Sequence, residues 1–172
     1  DPAGVTLSPA LPGKWRWISD KVLQFQPTSD WPAESEFTVT LKSDATAKEV
    51  VLKQTEWTFT TPKLDVSLPS VAFYTDPQDP TVHQIVAEVK TNYPVELAEL
   101  EKRVKLDVLG GTPVFAWKGQ TPASIFNITE GKHQQQFWIR STRIAIPDKE
   151  DFVKVTVQAG LPTLNGGKPL LA

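Results

Sequence analysis

Between Ser8 and Leu41 apolar and polar side chains alternate in three short runs, and this period of two restricts the fold more than any other feature of the chain. In a strand, Trp15 and Trp17 point to one side, as do Leu23 and Phe25, and as do Phe37, Val39 and Leu41. Pro12-Gly13, Ser19-Asp20 and the segment 27–32, which begins and ends in proline, separate the runs with turn chemistry. Such writing belongs to one wall of an antiparallel β-sandwich. It points toward a structural or binding module and away from catalysis.

The rhythm continues downstream. Val50-Val51-Leu52 is expected to be a short strand, followed by 56–60, where Trp57 and Phe59 share one face and Thr58 and Thr60 the other. Thr61-Pro62-Lys63 breaks the pattern, because proline removes a ladder donor, and a domain boundary is placed there. Leu64, Val66 and Leu68 then alternate until Pro69, and 71–74 is a further run that ends in the turn-rich segment 75–80. Residues 84–89, 105–109, 114–117, 124–129, 135–140, 143–146 and 152–157 are expected strands. Helical spacing occurs only from Pro94 to Val104, through Leu97, Leu100 and Val104. About a dozen short strands predict an all-β protein of two antiparallel sandwich domains, 1-62 and 63-172, the second with a short helix near 95-104. The first half holds about five expected strands where an immunoglobulin-like sandwich has ~7. Its opening strands are therefore expected upstream of Asp1, the alternative being a small sheet packed on the second half.

Composition removes several function classes. The 172 residues carry a net charge of −2, and no run of Lys or Arg forms a nucleic-acid footprint. Lys102, Arg103 and Lys105 follow closely on Glu96, Glu99 and Glu101, which offset them. Cysteine is absent, so no disulfide, thiolate metal site or cysteine nucleophile exists within these residues. No apolar run approaches the ~18 residues of a membrane-spanning helix, and membrane contact from this segment is not expected.

Residues able to carry chemistry are few, and each has a plainer reading. His83 and His133 are the only histidines and have no metal-ligand spacing. Asp76 and Asp79 flank a Pro-Gln pair and fit turn chemistry better than a calcium loop. Glu96, Glu99, Glu101 and Asp107 form an acidic cluster, but glycosidase chemistry needs two carboxyls facing each other across a cleft, one of them in a drier place. Trp15, Trp17, Trp57 and Trp117 share a face with another aromatic and are expected in the core. Trp31, in a turn, and Trp138, whose face-mates are Gln136 and Arg140, stay open between a sandwich cap, a domain contact and a ligand platform. Asn127-Ile128-Thr129 matches a glycosylation acceptor but falls inside an expected strand, and Ser124 and Ser141 lack a nucleophile elbow. No catalytic, cofactor-binding or metal-binding residue is assigned, and the chain is expected not to be an enzyme.

In order, SPALPGKWRW, LQFQP, DWP, FTVTL and WTFTT, then YTDPQDP, NYPVELAELEKRVKLDV and VKVTVQAGLPTLNGGKPL, resemble the immunoglobulin-like and macroglobulin-like domains in the N-terminal part of bacterial alpha-2-macroglobulins. The resemblance covers nearly the whole chain. It implies a large periplasmic parent built of many sandwich domains, with any anchor to the inner membrane carried by other parts. Many members trap proteases when a bait segment is cut, and some capture them through a Cys–Gln thioester. This segment contains neither cysteine nor a long flexible stretch, so the resemblance implies scaffold, with neighbouring domains of the same chain as partners and proteases as partners of the parent. The alternative is an immunoglobulin-like binding module of an adhesin or carbohydrate-binding protein.

Overall fold

The computed structural model describes residues 2–111, 114–115 and 124–171. The protein is all-β, with antiparallel sheets and, among the described residues, one short α-helix. It divides into two compact units: Asp1–Lys63 with Asn165–Lys168, and Leu64–Leu164 with Pro169–Ala172.

The first unit pairs a three-stranded sheet with a hairpin. Strands β1 (Val5–Ser8), β4 (Glu36–Leu41) and β5 (Glu56–Thr60) form the sheet in the order β1-β4-β5. Strands β2 (Gly13–Ser19) and β3 (Val22–Pro27) form the hairpin. Gly13 opens β2 where only hydrogen fits, since a Cβ there would overlap the Phe25 ring. The period of two places Phe37 opposite Phe59 and Val39 opposite Trp57, with the Thr38 and Thr58 hydroxyls 3.1 Å apart on the other face.

Aromatic rings bridge the two sheets. Trp31 stands edge-on to Phe37 at 5.0 Å, to Phe59 at 5.5 Å and to Phe25 at 5.7 Å, while Trp15 lies 4.9 Å from Phe25. Edge-to-face contacts set the positive ring edge against the negative face, which adds to the area these rings bury. Trp31, left open by the sequence, is therefore the hub of this cluster. Core placement of Trp17 and Trp57 is corrected: they are 37% and 40% exposed, since a shared strand face does not by itself fix what covers it. Trp117 lies outside the described residues.

Two expected strands are absent. Val50–Leu52 follows a turn closed by the Val50 N–H on Ala47 O and pairs with no strand among the described residues, leaving Val51 89% exposed. Residues 143–146 make only an isolated bridge between Ile144 and His83. The expected strand 114–117 is a turn at Val114 and Phe115, and its remainder lies outside the described residues. Conversely, β1 was not foreseen; with only Val5 and Leu7 apolar, its sequence is too short to show a period.

The second unit is built on a four-stranded sheet of β6 (Val66–Thr75), β7 (His83–Thr91), β9 (Phe126–Glu130) and β10 (Gln136–Ser141), ordered β6-β7-β10-β9. A second ladder pairs β8 (Val104–Val108) with β11 (Val153–Val157). The sequence breaks β6 at Pro69, but the strand runs on. Its register shifts between Ser67 and Ser70, and this bulge on an edge strand accommodates a residue with no N–H to donate. Ile85, Ala87 and Val89 from β7, Phe137 and Ile139 from β10 and Ile128 from β9 line the buried face, and Val104 and Leu106 of β8 are buried as well.

The helix α1 spans Leu97–Glu101, shorter than the expected 95-104. Leu100 is fully buried, but Val104 already belongs to β8. Three apolar residues at helical spacing are enough for a single turn, which Arg103 closes by donating its N–H to Leu100 O.

Candidate functional site

Chemistry-bearing residues of the second unit are dispersed by the strand directions. His83 starts β7, with Nδ1 3.1 Å from Thr75 Oγ1 and its ring stacked 5.2 Å from Phe73. His133 sits in the β9–β10 turn with φ 56. Because β7 and β10 run antiparallel with Lys90 opposite Gln136, the two histidines lie at opposite ends of the sheet. Strand order thus rules out a shared His83–His133 site.

Asp76 and Asp79 build a turn. Asp76 Oδ1 accepts the Gln78 N–H at 2.8 Å, and Asp79 Oδ1 accepts the Thr81 hydroxyl at 2.6 Å and its N–H at 3.0 Å. These two bonds from Thr81, with Arg143 nearby, hold the Asp79 carboxyl below the usual aspartate range. Among the described residues no group of three or more His, Cys, Asp or Glu is placed to hold a metal ion.

In the acidic cluster Glu99 is paired with Lys102 and Arg103. Hydrogen bonds from Lys102 and Arg103 lower the Glu99 pKa, the opposite of what a proton donor at neutral pH needs. Glu96 precedes α1, and Asp107 is exposed on β8 opposite Lys154. Ser124 is exposed and donates to Phe126 O. Ser141 is buried, accepting the Ile85 N–H at 2.8 Å and donating to Thr142 O at 2.7 Å. Asn127, Ile128 and Thr129 lie within β9, as expected from the sequence.

The described residues do bring one set of side chains together, on the solvent face of the four-stranded sheet. Period two puts Gln136, Trp138 and Arg140 of β10 on that face, as the sequence indicates. Across the ladders Trp138 meets Glu88 on β7 and Thr129 on β9, and Arg140 meets Val86 and Asn127. A groove of about 340 Å³ lies over Val86, Asn127, Thr129, Trp138 and Arg140. Trp138 is 47% exposed. The Arg140 guanidinium lies 5.3 Å over the Tyr74 ring, with Nη1 3.4 Å from Gln84 Oε1. Glu88 accepts a 2.6 Å bond from Gln136 Nε2 and pairs with Lys90 at 3.0 Å; these contacts, that from Gln136 first, hold its pKa below the ordinary glutamate value. Tyr74, Gln84 and Glu88 come from other strands, so only the pairing order, not the local sequence, could have joined them to Trp138.

A second groove, of about 620 Å³, opens on the first unit between Trp17–Asp20 and the loop Ala45–Val50. Its lining is apolar apart from Ser19, Asp20 and Thr46.

Among the described residues no helix is long and apolar enough to cross a membrane. No family model and no solved structure matches the chain. Curated relatives do. An alpha-2-macroglobulin homolog of Yersinia pestis is 28% identical over 160 residues, covering 92% of this chain and 8% of the relative. Alpha-2-macroglobulins of Pasteurella multocida and Rickettsia conorii are 25% and 24% identical, over 97% and 95% of this chain. The chain spans only 8–9% of the length of these relatives. Over almost its whole length this strand-built chain is thus similar to one segment of three bacterial proteins of the alpha-2-macroglobulin type.

Proposed function

We propose that this segment is a non-catalytic scaffold of a periplasmic, protease-trapping alpha-2-macroglobulin, and that its units are of the immunoglobulin-like and macroglobulin-like types. One observation carries the reading: alignment with the relatives runs through 92–97% of the chain yet occupies 8–9% of each relative. Sheets with a buried apolar face suit a part that holds geometry, since a close-packed interior transmits strain instead of absorbing it. Neighbouring domains of the parent are its partners, and proteases are partners of the parent as a whole.

A protection assay on the full-length parent tests the proposal. Trapping leaves an enclosed protease able to cut a small chromogenic peptide while a large protein substrate is spared. Equal loss of both activities, or loss of neither, contradicts it. Cell fractionation tests the compartment, with recovery in the periplasmic fraction expected.

A further inference from the structure

We infer that the Trp138–Arg140 groove is a docking surface for another part of the same parent polypeptide, one that sets a carboxylate against Arg140 and an apolar side chain against Trp138. The inference rests on the scaffold reading above and adds to it the surface through which the segment is held. Trp, Tyr and Arg are the residues in which interface energy concentrates, and here Trp138, Arg140 and Tyr74 share one sheet face. Their order is set in advance. Arg140 is positioned by the Tyr74 ring and by Gln84, so little side-chain freedom is lost when a partner arrives.

Charge selects the partner. No carboxylate lines the groove among the described residues, and Glu88 beside it is already engaged by Lys90 and Gln136. Arg140 therefore offers its planar fork of donors outward, to which a carboxylate is the matching group. Size selects a tethered partner over a free one. Stable complexes between separate proteins bury about 1,200 Å² or more through roughly 20–30 residues a side, whereas six residues line this groove. A segment of the same polypeptide needs far less intrinsic affinity, because tethering supplies an effective concentration on the order of millimolar. More than nine-tenths of each relative's length lies outside the aligned region, so such segments are abundant.

Photo-crosslinking in the full-length parent, with no protease added, tests this. Asn127→benzoylphenylalanine and, separately, Thr129→benzoylphenylalanine place a photoreactive group on exposed positions of β9 beside Trp138. Irradiation, digestion and mass spectrometry should find one cross-linked peptide from the same polypeptide, outside these 172 residues and containing Asp or Glu. Arg140→Glu should lower its yield about tenfold while the melting temperature of the parent stays unchanged. Absence of a cross-link at both positions, cross-linking only between separate molecules, or a yield indifferent to Arg140→Glu overturns the proposal. If the parent cross-links in this way but fails the protection assay, the docking surface stands and the trapping reading falls. The converse result removes the docking surface alone.

Discussion

Gly167 lies backbone to backbone against Ala33, in an isolated parallel bridge that returns the chain to its first unit after the second has been built. Ala33 donates its N–H to Gly166 O at 3.1 Å and accepts the Lys168 N–H at 2.9 Å, and Lys168 Nζ reaches Glu34 Oε1 at 3.1 Å. A Cβ on Gly167 would overlap the Ala33 backbone, and φ there is +90. At Gly166, φ is +77 but nothing lies within 4 Å of such a Cβ. Gly167→Ala should therefore destabilise the first unit by at least about 2 kcal/mol, and Gly166→Ala by about 1 kcal/mol from backbone conformation alone. Urea unfolding followed by tryptophan fluorescence checks both, since Trp15, Trp17, Trp31 and Trp57 all lie in that unit.

Trp31 is predicted to matter more than Trp57, although the sequence ranks them the other way. Trp31→Ala removes three ring contacts and should cost about 3 kcal/mol or more. Trp57→Ala, at a position 40% exposed, should cost about 1 kcal/mol. The same urea experiment measures both.

The contrast shows what the residue order makes legible. Faces of single strands were readable: Trp57 with Phe59 across from Val39 and Phe37, Trp138 with Gln136 and Arg140, and the inward set Ile85, Ala87 and Val89. A period of two states which side chains share a face, but not what the face meets. Trp31 had no period to belong to, so its place at the centre of the ring cluster depended on how the hairpin folds over the sheet. Val50–Leu52 shows the reverse failure: three strand-forming residues with no strand to pair with. The groove could be seen only in part, because Glu88 reaches Trp138, and Tyr74 and Gln84 reach Arg140, from strands distant in sequence.

Ser141 provides a test of burial against exposure for one residue type. Ser141→Ala would leave the Ile85 N–H without its side-chain acceptor inside the second unit and should cost about 1–3 kcal/mol. Ser124→Ala, at an exposed position, should change stability by less than about 0.5 kcal/mol. Thermal melting of the two variants gives the comparison.

Glu88 sets an acid limit. Its pKa is lowered in the folded chain, chiefly by the Gln136 bond and then by Lys90, so the unfolded state binds its proton more readily. The stabilisation is present above the unfolded glutamate value of about 4.3 and is lost as pH falls through that value toward the lower folded one. Glu88→Gln should make the chain less stable at pH 7 and flatten its stability profile below about pH 4.5. Denaturant midpoints taken from pH 7 to pH 3 check the sign; an unchanged slope refutes it.

The claim that this segment contributes geometry and no chemistry is tested most directly by the protection assay run on parent variants His83→Gln, Asp76→Asn and Glu96→Gln. Each variant should spare the large substrate to the same extent as the unaltered parent and show the same melting temperature. Loss of protection in any one of them, with melting unchanged, would contradict the account.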